Sequence, residues 1–257
     1  MNNKKIIILS GKDKSTNIIY NSLKRDFKIE KIIIEKHVPL VRYFKRRIIT
    51  LGFIKVFGQL LFLIIINSAL KLRSKKRIEE IREIYKLNNN SIDKSKIFNV
   101  SSINCLETIR ILKKYNPEVV VINGTRIISE KVLNCISAKF INTHAGITPL
   151  YRGLHGGYWA LINNDLKNCG VTVHLVDSGI DTGNILEQEA IYPSNNDNFI
   201  TYPLLQLAIG LPLLKKAIDD IFNNKLVLKS YPKGTSKFWS HPTFWEYLFN
   251  KLYFKIK

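Results

Sequence analysis

The sequence predicts an α/β fold with a doubly wound, mostly parallel sheet. Two patterns carry this: short, continuously apolar runs of strand length, and amphipathic stretches of helix length alternating with them. Val119 to Asn123 is the clearest such run, because it lacks the polar alternation of a half-exposed strand and so reads as buried on both faces. A third observation agrees. Ligands of such sheets gather at the carboxyl ends of the strands, and there an apolar run breaks into Asn142-Thr143-His144.

The elements follow in order. Residues 5 to 9 read as the first strand, ending at Ser10-Gly11. Residues 15 to 25 read as a helix with Ser15 or Thr16 as N-cap, since their hydroxyls accept from the orphan amides of a first turn. Residues 29 to 35 form a second strand and 97 to 100 a short third. An amphipathic helix over 104 to 115 stops before Pro117, which cannot continue it. After the strand at 119 to 123 come a helix at 129 to 137 and the strand at 139 to 143 that delivers His144. Val171 to Val176 is a further strand, carrying His174.

Two regions interrupt this order. Between strands two and three, residues 40 to 87 hold a basic stretch (Arg42, Lys45, Arg46, Arg47), an apolar stretch from Leu51 to Leu70, and a second basic run from Lys71 to Arg77. Lys55, Gln59, Asn67 and two glycines fall inside the apolar stretch, and only Leu60 to Ile66 runs unbroken, which disfavours a membrane span. The expectation is a helical insertion packed on the sheet with a solvated charged end; contact with a membrane surface is the less favoured reading. Residues 224 to 257 form a basic, aromatic C-terminal extension. Interleaved bases and aromatics can stack nucleotide rings, but more often make a helix that caps the core while its lysines reach water. The expected division is therefore a catalytic domain over 1–223, insertion included, and an extension over 224–257.

The chain has 257 residues, enough for one good-sized core. Its net charge is +20, from 40 Lys and Arg against 20 Asp and Glu, which favours anionic partners. Lysine occurs along the whole chain, so part of this excess is compositional. Cys105, Cys135 and Cys169 are odd in number, widely spaced and without a C-x-x-C, which fits a reducing cytoplasm better than disulfides or a zinc site. The start of the chain, with only a four-residue apolar stretch, reads as a buried strand and not a signal peptide. No Cys/His/Asp cluster has metal-ligand spacing, and no G-x-S-x-G elbow is present.

Strand alternation points Asn142 and His144 the same way. Nearly forty residues on, Asp181 sits in the Gly-flanked loop Ser178-Gly-Ile-Asp-Thr-Gly183. A lone Asn, His or loop Asp is usually a cap, a turn or a structural side chain. Together an amide, an imidazole and a carboxylate are what acyl transfer to an amine uses: a donor for the developing oxyanion and a route for protons.

This wording, N-x-H followed by Pro149 and Tyr151-Arg-Gly153, then Asp177-Ser-Gly-Ile-Asp-Thr-Gly183, resembles the folate-dependent formyltransferases. That family includes glycinamide ribonucleotide transformylase, methionyl-tRNA formyltransferase and the formyltransferases of amino-sugar nucleotides. The resemblance is strong over roughly 119 to 190 and implies Asn142, His144 and Asp181 as catalytic residues, with 10-formyltetrahydrofolate as formyl donor and no metal. It implies that Asp181 raises the pKa of His144, so that a protonated imidazole supplies charge and a proton. Relatives bind the pterin through a segment here reading Asn123-Gly-Thr125-Arg126-Ile127-Ile128 and the loop Val176-Asp177-Ser-Gly179-Ile180. Thr125 and Ile128 stand where purine relatives prefer Met and Leu, so the backbone contacts are what carry over. Arg126 could also face an anionic group.

The resemblance places the acceptor's phosphate after strand one, at Ser15, Thr16 and Asn17, a helix opening suited to anions. That loop is two residues longer than in the purine relatives and lacks their second glycine, which favours a small anionic acceptor of the amino-sugar nucleotide class over glycinamide ribonucleotide. The extension is far shorter than the barrel domain of methionyl-tRNA formyltransferases, which disfavours nucleic acid. His155 and His174 are candidate substrate contacts; His37 and His241 read as structural. A homodimer is left open. So is a non-enzyme alternative, a folate- or nucleotide-binding module whose catalytic residues are relics.

Overall fold

The computed structural model describes residues 4–232 and 234–257, and all of their side chains except those of Leu40 and Arg42. Arg42 of the first basic stretch and the first three residues of the chain therefore lie outside the described set.

Seven strands form the central sheet in the order β3-β2-β1-β4-β5-β7-β8. β1 (Lys5–Ser10), β2 (Lys28–Glu35), β3 (Ile97–Val100), β4 (Val119–Asn123) and β5 (Lys139–His144) are mutually parallel. β6 (Tyr151–Gly153) stands outside this sheet. β7 (Gly170–Leu175) runs antiparallel to β5, and β8 (Ile185–Ala190) antiparallel to β7. The period-two rule splits the core. Ile6, Ile8, Val119 and Val121 face one side, where α1 (Ser15–Leu23) and α9 (Tyr202–Phe222) pack; Ile7, Leu9, Val120 and Ile122 face α6 (Leu106–Tyr115) on the other. Both faces are covered, as a parallel sheet requires.

Three elements depart from expectation. Lys14, not Ser15 or Thr16, stands at the α1 N-cap, and no side chain caps the helix. α7 is a single turn, Glu130–Leu133, because Cys135 and Ile136 turn inward to pack on the core instead of continuing the helix. α9 goes beyond the elements read from sequence. Pro212 lies inside it and argues locally against a helix at about 3 kcal/mol. Leu205, Ala208, Leu211, Leu214, Ala217 and Ile218, all buried, outweigh that cost by packing on the sheet.

The insertion folds as α2 (Leu40–Leu51), α3 (Phe53–Leu61), a π-helical turn (Phe62–Ile66), α4 (Asn67–Arg73) and α5 (Lys75–Ile84). Gly52, at φ 82°, breaks α2 from α3. Phe62 and Ile81 are fully buried, and the Phe62 ring centroid lies 4.9 Å from Phe199 and 5.2 Å from Tyr247. Lys71, Arg73, Lys75 and Lys76 form the expected solvated charged end, but the outward side also exposes many apolar residues, which the sequence reading did not anticipate.

The C-terminal extension contributes β9 (Lys237–Trp239), paired in parallel with β6, and α10 (Phe244–Tyr253), opened by a Thr243/Glu246 capping box. α8 (Gly156–Ile162) lies beneath it, with Tyr158 Oη accepting from the buried Asn250 amide at 3.0 Å. The β6–β9 pairing brings the tail to the turn that follows His144.

Candidate active site

β5 ends in His144, and its antiparallel register with β7 sets Asn142 opposite His174. The loop after β7 folds back and returns Asp181 to the same strand ends. Asp181 holds left-handed backbone, φ 52°, which Asp tolerates better than most residues. Gly183 lets the loop close, since a Cβ there would sit 1.7 Å from the Leu175 carbonyl.

Asp181 lies between two imidazoles. Its Oδ2 is 3.4 Å from His144 Nδ1 and accepts the Gly153 N–H at 3.0 Å; its Oδ1 is 3.6 Å from His174 Nε2. His144 Nε2 is 2.8 Å from the Tyr151 carbonyl. A carbonyl only accepts, so Nε2 carries hydrogen, and Nδ1, facing Asp181, is where a second proton comes and goes. By the same logic the Leu175 carbonyl, 2.7 Å from His174 Nδ1, turns His174 Nε2 toward Asn142 Nδ2 at 3.3 Å. A Cβ on Gly146 would lie 2.3 Å from the Tyr151 carbonyl and 2.8 Å from His144 Nε2, so the His144–Tyr151 bond passes through space that only glycine leaves free.

Burial lowers the pKa of His144, and the charge of Asp181 and the Tyr151 bond raise it without restoring it. This corrects the expectation of a protonated histidine: the imidazole is neutral near pH 7. Burial also pushes the Asp181 carboxyl up, but the His174 imidazole, the charge of His144 and the Gly153 amide outweigh it and hold the carboxyl below its ordinary value. The site thus pairs a carboxylate with a proton vacancy on His144.

One cavity of about 620 Å³ is lined by Asn142, His144, His174 and Asp181, and equally by Thr125, Arg126, Ile127, Ile128, Asp177 and Gly179. Asp177 Oδ1 shapes its own loop, accepting from the Gly179 amide at 3.0 Å and Thr182 Oγ1 at 2.7 Å. The Arg126 guanidinium turns to the buried Glu35, with Nε 2.6 Å from Oε2, and not to a ligand site. Glu35 also accepts the Arg126 N–H at 2.8 Å and the Ile103 N–H at 3.0 Å, so it ties the 124–128 segment at Arg126 to the turn at Ile103.

A second cavity of about 510 Å³ shares Thr143 and Ala145 with the first and is rimmed by Lys14, Lys71 and Arg82. Of the three residues expected at the acceptor's phosphate, only Ser15 lines it. Thr16 is buried, its Oγ1 2.5 Å from Ser10 Oγ and 3.0 Å from Asn123 Nδ2, and the Asn17 amide reaches the Asn89 carbonyl at 3.5 Å. The local reason is that α1 starts at Ser15, which turns Thr16 into the core. His155 lines the second cavity, with Nε2 2.9 Å from His241 Nδ1. Burial pushes His155 well down and His241 to about 4, so both are neutral and share one hydrogen.

Sequence reasoning passed over Glu35, ranked His174 only as a substrate contact and read His241 as structural, although it lines the first cavity. For His174 the signal exists only once the β5–β7 register places it opposite Asn142. Among the described residues no group of His, Cys, Asp and Glu gathers to hold a metal ion.

A doubly wound sheet thus brings an amide, an imidazole and a carboxylate together at its strand ends. Residues 68–200 match the family model described as formyl transferase, and the chain belongs to that family. The methionyl-tRNA formyltransferase of Finegoldia magna is 34% identical over 120 residues, covering 46% of this chain and 38% of that protein. The chain thus spans well under half the length of that relative. In fold it is similar to glycinamide ribonucleotide transformylase 1 of Symbiobacterium toebii, with a TM-score of 0.56 and 17% identity over 88% of this chain and 91% of that one. It is also similar to an N-formyltransferase of Helicobacter canadensis solved with folinic acid and dTDP-3-aminofucose, with a TM-score of 0.53 and 20% identity over 91% of this chain and 70% of that one.

Proposed function

We propose that this chain transfers a formyl group from 10-formyltetrahydrofolate to the primary amine of a phosphorylated small molecule. The observation that supports this most is the position of Asp181 against His144, in the cavity that the 124–128 and 176–180 segments also line. Apolar Ile122, Ile128 and Val176, set among backbone groups, suit a flat ring with polar edges. Formyltetrahydrofolate would supply the activated formyl carbon there.

Asn142, its amide oriented by His174, donates to the oxygen that gains negative charge. The attacking amine must lose a proton and the departing nitrogen must gain one, so a site that takes and returns one proton suffices. The Asp181–His144 Nδ1 position is that site: neutral imidazole and carboxylate leave room for the proton, and the charged pair holds it.

For the acceptor, the second cavity supports an anionic amine, with Lys14, Lys71 and Arg82 placed to meet its phosphates. We assign an amino-sugar nucleotide, on the loss of Thr16 and Asn17 as phosphate contacts and on the ligand of the Helicobacter canadensis protein. Methionyl-tRNA is the second reading, favoured by the sequence relatives. Formylation of an amino-sugar nucleotide, glycinamide ribonucleotide and methionyl-tRNA side by side tests the assignment. The product should form with the first. Exclusive use of either other acceptor overturns the substrate class while leaving the chemistry intact, and donor binding without turnover of any amine favours the non-enzyme alternative.

A further inference from the structure

We infer that the insertion and α10 form a docking face on which the protein lies against an anionic lipid bilayer. From Phe53 to Arg73 the helices are continuous over 21 residues, and an 18-residue window within them has a mean hydropathy of 2.0, long and apolar enough to cross a membrane, yet little of that window is buried. One side is anchored. Val56 and Phe62 are buried, and Gln59 donates to the His241 carbonyl at 2.7 Å and accepts from Arg47 at 2.6 Å. A helix so fixed to the core lies along a surface and does not span a bilayer.

The opposite side is apolar too, and open. Phe53 is 67% exposed, Ile54 74%, Ile64 60% and Leu72 65%. Their spacing, with Phe57 and Ile65, places them on one stripe of the helix. A second stripe runs along α10 through Trp245, Phe249, Leu252 and Tyr253, at helical spacing and all exposed. The stripes adjoin: the Trp245 ring packs on Gly58, where a Cβ would lie 2.4 Å from it, and a groove lined by Leu51, Phe53, Ile54 and Trp245 joins them. A helix apolar all round needs an apolar medium on both sides, and contiguous exposed patches mark interaction surfaces.

Charge selects the occupant. Residues 36 to 78 contain eleven Lys and Arg and no Asp or Glu, and residues 225 to 257 contain seven against one, so these two stretches hold seventeen of the formal +20. Lysine occurs throughout the chain, but its excess over acid is concentrated here. A second copy of this chain would bring the same positive charge to the contact, which disfavours self-association through this face. An apolar layer under anionic headgroups matches both the stripes and their basic flanks, and Trp245 and Tyr253 are the residue types that sit at such boundaries. Lys71 belongs to the same helical stretch and rims the second cavity, so docking sets that cavity beside the headgroups.

Flotation of the full chain with vesicles tests this. It should float with mixed phosphatidylcholine and phosphatidylglycerol vesicles, less with phosphatidylcholine alone, and less as salt rises. Each neutralised surface charge should lower partition about fivefold, so Lys45→Gln with Arg46→Gln should lower it by on the order of twentyfold. Ile54→Asp with Ile64→Asp should abolish flotation with an unchanged circular dichroism spectrum; should that pair misfold, Leu252→Asp on α10 carries the same expectation. Lack of flotation at low salt, equal binding to neutral vesicles, or unchanged flotation of a folded stripe variant overturns the inference. So does a stable dimer that Ile54→Asp dissociates, since a second copy would then cover the face.

Discussion

Asp181 Oδ2 stands 3.4 Å from Nδ1 of His144, whose other ring nitrogen is committed to the Tyr151 carbonyl at 2.8 Å. The carboxylate therefore meets the only position on that ring able to change protonation, and burial keeps that position empty near neutral pH.

The pH dependence follows. His144 has a lowered pKa, so it stays neutral at neutral pH and takes its second proton only below the ordinary histidine range near 6.5. We expect kcat/KM for formyl transfer to hold from pH 8 down to about 6.5 and to fall on an acid limb below it. Asp181 raises the His144 pKa, so Asp181→Asn should move the limb of the residual activity further to acid. A limb centred above 6.5, or one that shifts upward in the variant, contradicts this assignment.

β1 and β4 were legible because buried parallel strands are continuously apolar, and the shorter or partly polar apolar runs of β2, β3 and β5 were legible from their place in the strand–helix alternation. Asn142, His144 and Asp181 were legible because their spacing and flanking glycines survive in the primary structure. Three features were not. His174 becomes a partner of Asn142 only through an antiparallel register that no local pattern announces. Thr16 looked like an exposed cap until α1 began one residue before it and turned it inward. The protonation of His144 depended on burial, a property of the folded site that outweighed the neighbouring charge visible in sequence.

Gly146→Ala should reduce formyl transfer by at least about tenfold while leaving the fold intact. The added methyl would press on the Tyr151 carbonyl and His144 Nε2, and displacing an imidazole from an aligned position costs activity more than stability. Steady-state kinetics with a thermal melt separates the two.

Glu35 holds the 124–128 segment through the backbone amide and guanidinium of Arg126, and its carboxylate also accepts the Ile103 N–H. Glu35→Ala should weaken binding of a formyltetrahydrofolate analogue by about tenfold or more, the scale of a hydrogen bond to a charged group. The acceptor's KM should change little, because Glu35 does not line the second cavity. Calorimetric titration with the analogue reads the first effect.

Stability should also depend on pH through the buried histidines. His144, His155 and His241 all have folded pKa values below the unfolded value of 6.5. The unfolded chain binds protons there first, so stability is full above about pH 6.5 and falls as pH drops. His241 alone, pushed down to about 4, accounts for about 3 kcal/mol of that loss by pH 4. Urea midpoints between pH 7 and 5 should fall, and His241→Gln should flatten the slope.

Single-turnover formyl transfer to an amino-sugar nucleotide by the wild-type chain, His144→Ala and Asp181→Asn is the most direct test of the proton-carrying pair. Wild type should transfer the formyl group, and each variant should be slower by at least about a hundredfold with analogue binding and fold retained, the scale of an acid–base group. Near-wild-type transfer by either folded variant would show that Asp181 and His144 do not carry the proton.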